Sequence, residues 1–552
     1  MMQFLSRSPQ NLHMNSYIKY FRSGYTGKKL VLPVLFVASG YILYNNFQQT
    51  SNVYKRFLRT FYIGIYNSLD YKWSLYGYNE ESEKYKELMD QCHQRCAERI
   101  LGGCLENGGL YIKLGQGLVA LNHLLPQQYI STLEALHDKA LSQDFEKTRK
   151  VFQEDLGNEP KDLFKEFNEK PFAAASLAQV HEAISRSGER LAIKVQYYDL
   201  RSRFTADIRT IEILLSLVEI LHPKFGFSWV LKDMKVTLAQ ELDFEIEADN
   251  SKKCAIDLIS FRDVHIPKVF KELSSKRILT AEYIDGIKVN DIKGLKEKKV
   301  DLKWLDKVMV SVFSHQLFHT GFVHSDPHPG NLLVRMKATK SPELVILDHG
   351  LYESMAAKSR QDLANLIKSL LGRKFKDTEY YSNQLGVNDW ETFGEIILQR
   401  PIKLENLGKH FKFFQSKLSD EDVEYMKQKS SEHFDRIMDV LRKMPKPMLL
   451  FIRNLNTVRS ICRLHGDPIN RYIYMSDSAI RASYNDDNKM NYIFCKISLF
   501  FELKIFEWKI KLAEFFEIIS RLTMKFLNYF GYGISIDRIE EIYRKNQIAI
   551  QT

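Results

Sequence analysis

Apolar and polar residues follow a helical period over most of this chain and a strand period in two short regions. The helical period covers residues 71–156, two amphipathic stretches between 204 and 254, residues 290–320 and residues 351–484. From residue 164 to 197 the period falls to two, which is typical of strands that cover a core on one face. The pattern predicts an α+β protein in which a small sheet lies between two helical segments.

A second strand region carries candidate chemistry at its ends. Apolar runs at Leu332–Val334 and Leu344–Leu347 flank a polar connection and predict a β-hairpin. Asp326 and Asn331 precede the first strand, and Asp348 follows the second. The hairpin therefore presents carboxylate and amide oxygens at the two places where its strands begin and end.

The spacing of these residues is that of a phosphotransfer site. Protein kinases carry His-x-Asp-x-x-x-x-Asn followed by Asp-x-Gly, and this chain has both motifs in that order. Asn331 and Asp348 would hold Mg²⁺, which prefers hard oxygen ligands, and Asp326 is the candidate base. These residue types also occur in ordinary turns, but two motifs at matched spacing favour a site that binds Mg²⁺ and ATP or ADP.

The first strand region supplies a candidate phosphate-binding lysine. Lys194 lies in an apolar strand in the Ala-Ile-Lys context that precedes the magnesium motifs in kinases. In kinases the turn before this strand is rich in glycine, whereas here it is built from small residues with a Cβ atom: Ala173, Ala174, Ala175 and Ser176. Such a turn is stiffer and approaches phosphates differently. We predict that these four residues and Lys194 contact the nucleotide.

Candidate partners for lysines lie in the predicted helix at 230–254. Asp243 and Glu247 are four residues apart and share a helical face, whereas Glu241 is rotated away. A kinase needs a helical glutamate to orient its strand lysine, and Glu247 is the candidate; without lysine partners the run would be a solvated acidic face. After Gly350 the helical pattern resumes with no long activation segment, which argues against a peptide substrate.

The first 69 residues differ from the remainder in charge. They contain no Asp or Glu and eight of the Lys and Arg residues, which leaves about +3 of the net charge of +11 for the other residues. The basic residues form a leader and not a face over the core, so we expect no nucleic-acid partner. Residues 1–29 are similar in composition to a mitochondrial targeting segment, with a disordered basic tail as the alternative.

A membrane anchor is predicted next to this segment. The uncharged run Leu30–Tyr44 would span only ~22 Å as a helix, against ~30 Å of hydrocarbon, and extension to residue 48 makes up part of the difference. The prediction is a single transmembrane helix over 30–48, with a cleaved leader or a buried helix as alternatives. We therefore expect a mitochondrial, membrane-associated protein.

The six cysteines are scattered, which suits a reducing compartment. Cys92 and Cys96 share a helical face beside His93, but no fourth ligand stands at metal-site spacing, so we predict a reduced pair.

Near the C-terminus, residues 497–529 mix apolar and charged side chains. They predict amphipathic helices that pack on the large helical part or lie along a membrane surface.

Together these motifs resemble the UbiB / aarF-domain-containing (ADCK) atypical kinases, and most of all the fifth animal paralogue. The resemblance covers residues 71–484 and includes Lys113-Leu114-Gly115-Gln116 in a glycine-containing helical segment. It implies a two-lobed protein-kinase-like fold with a helical extension over the cleft and a mostly helical large lobe. It also implies that Lys113 and Gln116 belong to the extension, that Lys113 pairs with Glu241 and Asp243, and that Lys194 pairs with Glu247.

The resemblance implies ATPase-like or kinase-like chemistry in support of ubiquinone and related lipid metabolism. The expected acceptor is a membrane lipid, an isoprenoid-type small molecule or water, within a lipid-biosynthetic protein complex. Two alternatives stay open: a nucleotide-binding pseudokinase scaffold and a conventional protein kinase. The predicted organisation is a targeting segment at 1–29, an anchor at 30–48, the extension at 70–163, a small lobe at 164–288, a large lobe at 289–490 and amphipathic helices at 491–552.

Overall fold

The protein is described from a computed structural model, which covers residues 52–79, 82–120, 125–137, 143–221, 228–398, 402, 440, 444–484, 501, 504, 508, 515, 519 and 522–523. The described residues form two units. The first lies within the ranges Met1–Lys253, Pro267–Asp285 and Asp348–Leu351, and the second within Cys254–Ile266, Gly286–Leu347 and Tyr352–Thr552.

Helices come first in the first unit. They are α1 (Asn52–Ser74), α2 (Glu83–Asn107), α3 (Leu110–Ala120), α4 (Gln127–Leu133), α5 (Phe145–Leu156), α6 (Pro160–Leu163) and, after the first strands, α7 (Leu200–Leu221). Ser82 caps α2 by accepting a hydrogen bond from the Tyr85 amide at 3.1 Å. The helix ends at Gly108, whose φ of 64° a residue with a Cβ rarely adopts.

A buried ion pair joins α1 to α7. Arg56 Nε donates to Asp207 Oδ1 at 3.0 Å, a second Arg56 nitrogen lies 2.5 Å from Asp207 Oδ2, and both side chains are buried. Arg56 also donates to the Asn107 carbonyl at the end of α2. The sequence pattern assigned Arg56 to a basic leader, whereas here its charge is internal and holds three helices together.

The sheet of the first unit is antiparallel. Its strands are β1 (Glu166–Phe167), β2 (Ala173–Ala174), β3 (Ala178–Ile184), β4 (Arg190–Gln196) and, beyond β5 (Val264–His265) of the second unit, β6 (Ile278–Glu282). The order is β1-β3-β4-β6, with β2 on β3. Alternate residues of β4, Leu191, Ile193 and Val195, pack in a core with Phe152 of α5. Because strand side chains alternate, Lys194 projects from the opposite face.

The helix predicted over 230–254 is interrupted. It forms α8 (Ser228–Glu241) and α9 (Phe244–Asp257), whose residues up to Lys253 belong to the first unit. At the break, the Leu242 carbonyl accepts a hydrogen bond from Gln196 Nε2 at 2.8 Å, and Asp243 Oδ1 accepts one from the Glu245 amide at 3.1 Å. These bonds replace the helical ladder, so the prediction of one continuous helix was wrong.

The second unit contains the predicted hairpin. Its remaining strands are β7 (Ile287–Lys288), β8 (Phe322–His324), β9 (Leu332–Met336), β10 (Pro342–Ile346) and β11 (Tyr352–Ser354). One sheet has the order β5-β10-β9-β7, and β8 pairs with β11. Leu344 pairs with Val334 and Ile346 with Leu332, which confirms the hairpin.

The second unit is otherwise helical, and some of its helices pack on the hairpin core. They are α10 (Ile292–Glu297), α11 (Leu302–His315) with a π-helical turn at Gln316–Thr320, α12 (Ala357–Leu371), α13 (Phe375–Gln384), α14 (Trp390–Leu398), α15 (Lys446–Leu464) and α16 (Arg471–Ser483). Leu305 and Phe313 of α11, Leu344 of β10 and Ile461 of α15 share one buried cluster.

The prediction of a single-pass membrane anchor was wrong. Within the part of the chain that the structure describes, no helix is at once long enough and apolar enough to cross a bilayer. α1, with 23 residues, has the length, but it carries charged residues such as Arg56 and Asp70 that are committed to ion pairs. The predicted anchor at 30–48, the targeting segment at 1–29 and most of the C-terminal stretch lie outside the described residues.

Candidate nucleotide and magnesium site

Lys194 of β4, Glu247 of α9 and Asp348 come together in the first unit. Lys194 Nζ donates to both carboxylate oxygens of Glu247 at 2.9 Å and to Asp348 Oδ2 at 3.3 Å. Glu247 is buried, whereas 38% of the Asp348 side chain is exposed. The lysine is thus held on a buried carboxylate and reaches a second one that solvent and ligands can approach.

Burial and the charge of the ion-pair partner shift the pKa of Lys194, and also that of Glu247, in opposite directions. Burial disfavours the charged lysine, but Asp348 and Glu247 outweigh it and raise the pKa of Lys194 above its ordinary value. Burial raises the pKa of Glu247 to about 7; Lys194 opposes this shift and Asp348 adds to it. The lysine therefore stays charged at neutral pH, and Glu247 titrates near neutrality.

The Asp348–Gly350 turn is fixed by hydrogen bonds within the same unit. Gly350 N donates to Asp348 Oδ1 at 2.9 Å, and Asn250 Nδ2 donates to the His349 carbonyl at 3.0 Å. A Cβ on Gly350 would lie 3.2 Å from Asp348 Oδ1, which is tighter than ordinary packing. Glycine is thus favoured at this position because it leaves the Asp348 carboxylate room.

The alanine turn between β2 and β3 is closed by its own backbone. Ala173 pairs with Val180 and Ala174 with Gln179 in the β2–β3 register. Ala175 N donates to the Ala178 carbonyl at 2.7 Å, and Tyr197 Oη donates to the Ala175 carbonyl at 2.8 Å. Ser176 lies at the tip of this turn and is half-buried. The turn is therefore pinned at two points, in keeping with the stiffness that its alanines predict.

Lys113 of α3 forms an ion pair with Glu241 at the end of α8. Lys113 Nζ lies 2.8 Å from Glu241 Oε2, and both side chains are largely buried. Asp243, which the resemblance also assigned to Lys113, caps α9 through the Glu245 amide. Gln116 Nε2 donates to the Leu136 carbonyl at 3.0 Å. A Cβ on Gly350 would lie 3.9 Å from Glu241 Cγ, so the Lys113–Glu241 pair lies beside the Asp348 turn.

The second unit holds Asp326 and Asn331 on the loop between β8 and β9. Asp326 Oδ2 lies 3.2 Å from an Arg453 nitrogen of α15. The Asp326 amide donates to His324 Nδ1 at 3.1 Å, which holds the backbone of the loop. Asn331 ends a 3₁₀ turn, and its carbonyl accepts a hydrogen bond from the Leu347 amide at 2.9 Å. That bond ties the end of the loop to the residue that precedes Asp348 in the chain.

Sequence reasoning gave no role to two residues that support this loop. Many protein kinases have arginine where this chain has Ser325. In this protein the guanidinium group of Arg453 forms an ion pair with Asp326 instead. Its neighbour Asn454 donates to the His324 carbonyl at 2.6 Å. In the sequence, Arg453 and Asn454 are polar residues of a predicted amphipathic helix. That pattern alone does not show whether they lie on the surface or support the loop.

The residues fit a magnesium nucleotide by their donor chemistry. Asp348 supplies a carboxylate and Asn331 an amide, the hard oxygen donors that Mg²⁺ takes. Lys194 supplies a charged ammonium group, which is suited to phosphate oxygens. Sulfur and imidazole ligands, which would favour other metals, are not among these three side chains.

Residues 135–381 match the model of the ABC1 atypical kinase-like domain. The AarF domain-containing protein kinase 1 of Xenopus tropicalis is 36% identical over 394 residues, which are 71% of this chain and 75% of that protein. The chain belongs to the ABC1/AarF atypical kinase-like family. Its α+β fold is accordingly kinase-like.

Other relatives of this ABC1 family member carry kinase names. The probable serine/threonine-protein kinase abkD of Dictyostelium discoideum is 40% identical over 80% of this chain, which spans 63% of that relative. The solved structure of Rv3197 with erythromycin, from Mycobacterium tuberculosis, is 20% identical with a TM-score of 0.43, over 69% of this chain and 93% of that one. Several animal relatives are named kinase 1, so the fifth paralogue is not confirmed.

Proposed function

We propose that this ABC1 family member is an ATP-dependent phosphotransferase or ATPase that uses Mg²⁺. The observation that carries the proposal is the bridge from Glu247 through Lys194 to Asp348, with Lys194 Nζ 2.9 Å from Glu247 and 3.3 Å from Asp348. The buried carboxylate of Glu247 holds the Lys194 ammonium group in place. The same ammonium group can then bind phosphate on the side of Asp348, which is accessible to ligands.

Each residue of the proposed site has a distinct role. Lys194 would bind the α- and β-phosphates, and Glu247 would orient it. Asp348 and Asn331 would hold Mg²⁺, which neutralises phosphate charge when bound. Asp326 would position or deprotonate the attacking hydroxyl or water, and Ala173–Ser176 would contact the nucleotide. Since phosphoryl transfer has a loose transition state, positioning and charge are the main contributions of the protein.

For the acceptor we favour water or a small lipid- or isoprenoid-type molecule over a peptide. Support comes from the segment after Gly350: β11 begins at Tyr352 and α12 at Ala357, which leaves little chain for peptide docking. The Lys113–Glu241 pair of the helical extension, close to the Asp348 turn, also favours a small acceptor.

The test is Mg²⁺-dependent ATP hydrolysis by the full chain and by Asp348→Asn. We expect the variant to lose at least about a hundredfold in turnover, because a magnesium ligand loses its charge where charge develops in the transition state. Asp249→Asn is the matched control, because Asp249 is an exposed acidic residue of α9 paired only with surface Lys271. Mg²⁺-dependent hydrolysis retained in Asp348→Asn would contradict the proposal.

A second candidate is a nucleotide-binding pseudokinase that acts as a scaffold in a lipid-biosynthetic complex. The observation in its favour is the alanine turn, which is closed at 2.7 Å between Ala175 and Ala178 and offers phosphates less adaptable backbone than a glycine loop. ATP binding with no hydrolysis and no transfer in the full chain would select this candidate. Phosphate transfer to an added protein would instead favour a conventional protein kinase.

A further inference from the structure

The helices of the first unit border an apolar cavity that is partly open to solvent and that the proposed phosphotransfer site does not use. Its volume is about 240 Å³. Aliphatic side chains from five helices line it: Ile63 of α1, Ile100 of α2, Leu118 of α3, Ile211 and Leu214 of α7, and Leu231 of α8. The cavity exceeds the ~150 Å³ apolar cavity that stays dry and takes benzene.

The hydroxyl and amide side chains in the wall are hydrogen-bonded to one another or to neighbours. Thr60 Oγ1 donates to Tyr111 Oη at 2.9 Å and accepts from Asn107 Nδ2 at 3.1 Å. Asn67 Oδ1 accepts a hydrogen bond from Arg99 at 3.0 Å. A guest in the cavity therefore meets aliphatic surface and gains nothing from polar groups of its own, which selects a hydrocarbon chain over a phenol, a sugar or a nucleotide.

Two glycines make the cavity a built feature of the helix packing. A Cβ on Gly64 of α1 would lie 2.5 Å from Leu214, and one on Gly103 of α2 would overlap Ile63. Both glycines line the cavity, and both are sites where helices approach each other closely. The helices therefore pack closely at these two glycines, and beside them their side chains leave the cavity unfilled.

We propose that this cavity binds the end of an aliphatic chain, such as the tail of a single-chain lipid. The tail removes apolar wall area from water and restores the dispersion contacts that an empty cavity lacks. The inference deepens the proposed function, in which a lipid-type acceptor is one of the favoured candidates. The two fail separately, because binding of the tail can be measured in a chain that has lost Asp348.

The test uses the fluorescent fatty acid cis-parinaric acid with the full chain carrying Asp348→Asn. We expect saturable fluorescence enhancement, displacement by 1-decanol, and a rise in melting temperature with the concentration of 1-decanol. Ile211→Phe fills the cavity and should weaken binding of the probe at least about tenfold, which is about 1.4 kcal/mol. Ile213→Phe is the matched control, because Ile213 lies on the same helix and is 55% exposed.

Leu231→Phe repeats the test from α8, so that a folding defect in one variant does not decide the result. Both cavity variants should keep the wild-type circular-dichroism spectrum. A lack of saturable binding, or equal binding by wild type, Ile211→Phe and Leu231→Phe, would overturn the proposal. The first result would mean that the cavity admits no tail, including the case in which the chain's own residues fill it. The second would mean that the probe binds elsewhere.

Discussion

At the scale of single residues, Glu247 decides how Lys194 is presented. It is buried, accepts two hydrogen bonds from Lys194 at 2.9 Å and has its pKa raised to about 7 by burial. A lysine that lost this partner would still have Asp348, but it would be drawn towards the carboxylate proposed to hold Mg²⁺. The buried glutamate therefore keeps the lysine and the metal ligand as separate functional groups.

Glu247→Gln should lower kcat/KM for Mg-ATP about 10- to 100-fold, since a hydrogen bond to a charged group is worth about 1.5–3 kcal/mol. The measurement is steady-state hydrolysis with the melting temperature in parallel. Glu245→Gln is the control, because Glu245 is exposed on the same helix. Wild-type kinetics in Glu247→Gln would show that Lys194 needs no orienting partner.

The sequence alone suggests a role for a residue when that residue belongs to a motif with fixed spacing. Asp326, Asn331 and Asp348 are recognisable because their motifs have fixed intervals, and Lys194 because its strand precedes them. The role of Arg453 is not recognisable, because its contact with Asp326 arises from packing between elements far apart in the chain. Arg56 was misassigned for the same reason, since its partner Asp207 lies on another helix.

At the scale of elements, periodicity predicts strands and the hairpin well and helix ends poorly. The β3–β4 region and the β9–β10 hairpin follow the period-two pattern. The break between α8 and α9 does not show in the pattern, because it depends on Gln196 reaching the Leu242 carbonyl from β4. Gly115, in the glycine-containing segment that carries Lys113, marks a site of close packing: a Cβ there would overlap Leu136.

Gly115→Ala should destabilise the protein by about 1–3 kcal/mol, because the added methyl group overpacks a buried contact. Gly102→Ala is the matched control: Gly102 lies within α2 and a Cβ there meets nothing within 4 Å. The control should gain about 0.5–1 kcal/mol from the lower entropy of its unfolded chain. Denaturant unfolding measures both. Equal stabilities for the two variants would show that α3 has room at this position.

At the scale of the whole molecule, stability should depend on pH through a buried histidine in the second unit. His465 Nδ1 lies 2.5 Å from Asp306 Oδ1, and His465 Nε2 donates to the Val289 carbonyl at 2.7 Å. Burial disfavours the imidazolium, but Asp306 and the carbonyl outweigh it and raise the pKa of His465. The resulting stability is fully present below pH 6.5 and is lost as the pH rises through the higher folded-state pKa.

Asp306→Asn should therefore cost most below pH 6.5, by about 3–5 kcal/mol, and progressively less at higher pH. The free energy of unfolding, measured across pH 5.5–9 for wild type and variant, gives the difference directly. Asp477→Asn is the control, because its pair with Arg481 lies on the surface and should contribute less than about 1 kcal/mol at every pH. A difference that grows with pH would contradict the assigned charge of His465.

If Asp348 is a magnesium ligand, it should make nucleotide binding depend on Mg²⁺. Calorimetric titration of ATP into the full chain, with and without Mg²⁺, tests it directly in wild type, Asp348→Asn and Asp249→Asn. We predict that Mg²⁺ tightens ATP binding at least about tenfold in wild type and Asp249→Asn, and has little effect in Asp348→Asn. Equal tightening by Mg²⁺ in Asp348→Asn, or no ATP binding by wild type, would contradict the account.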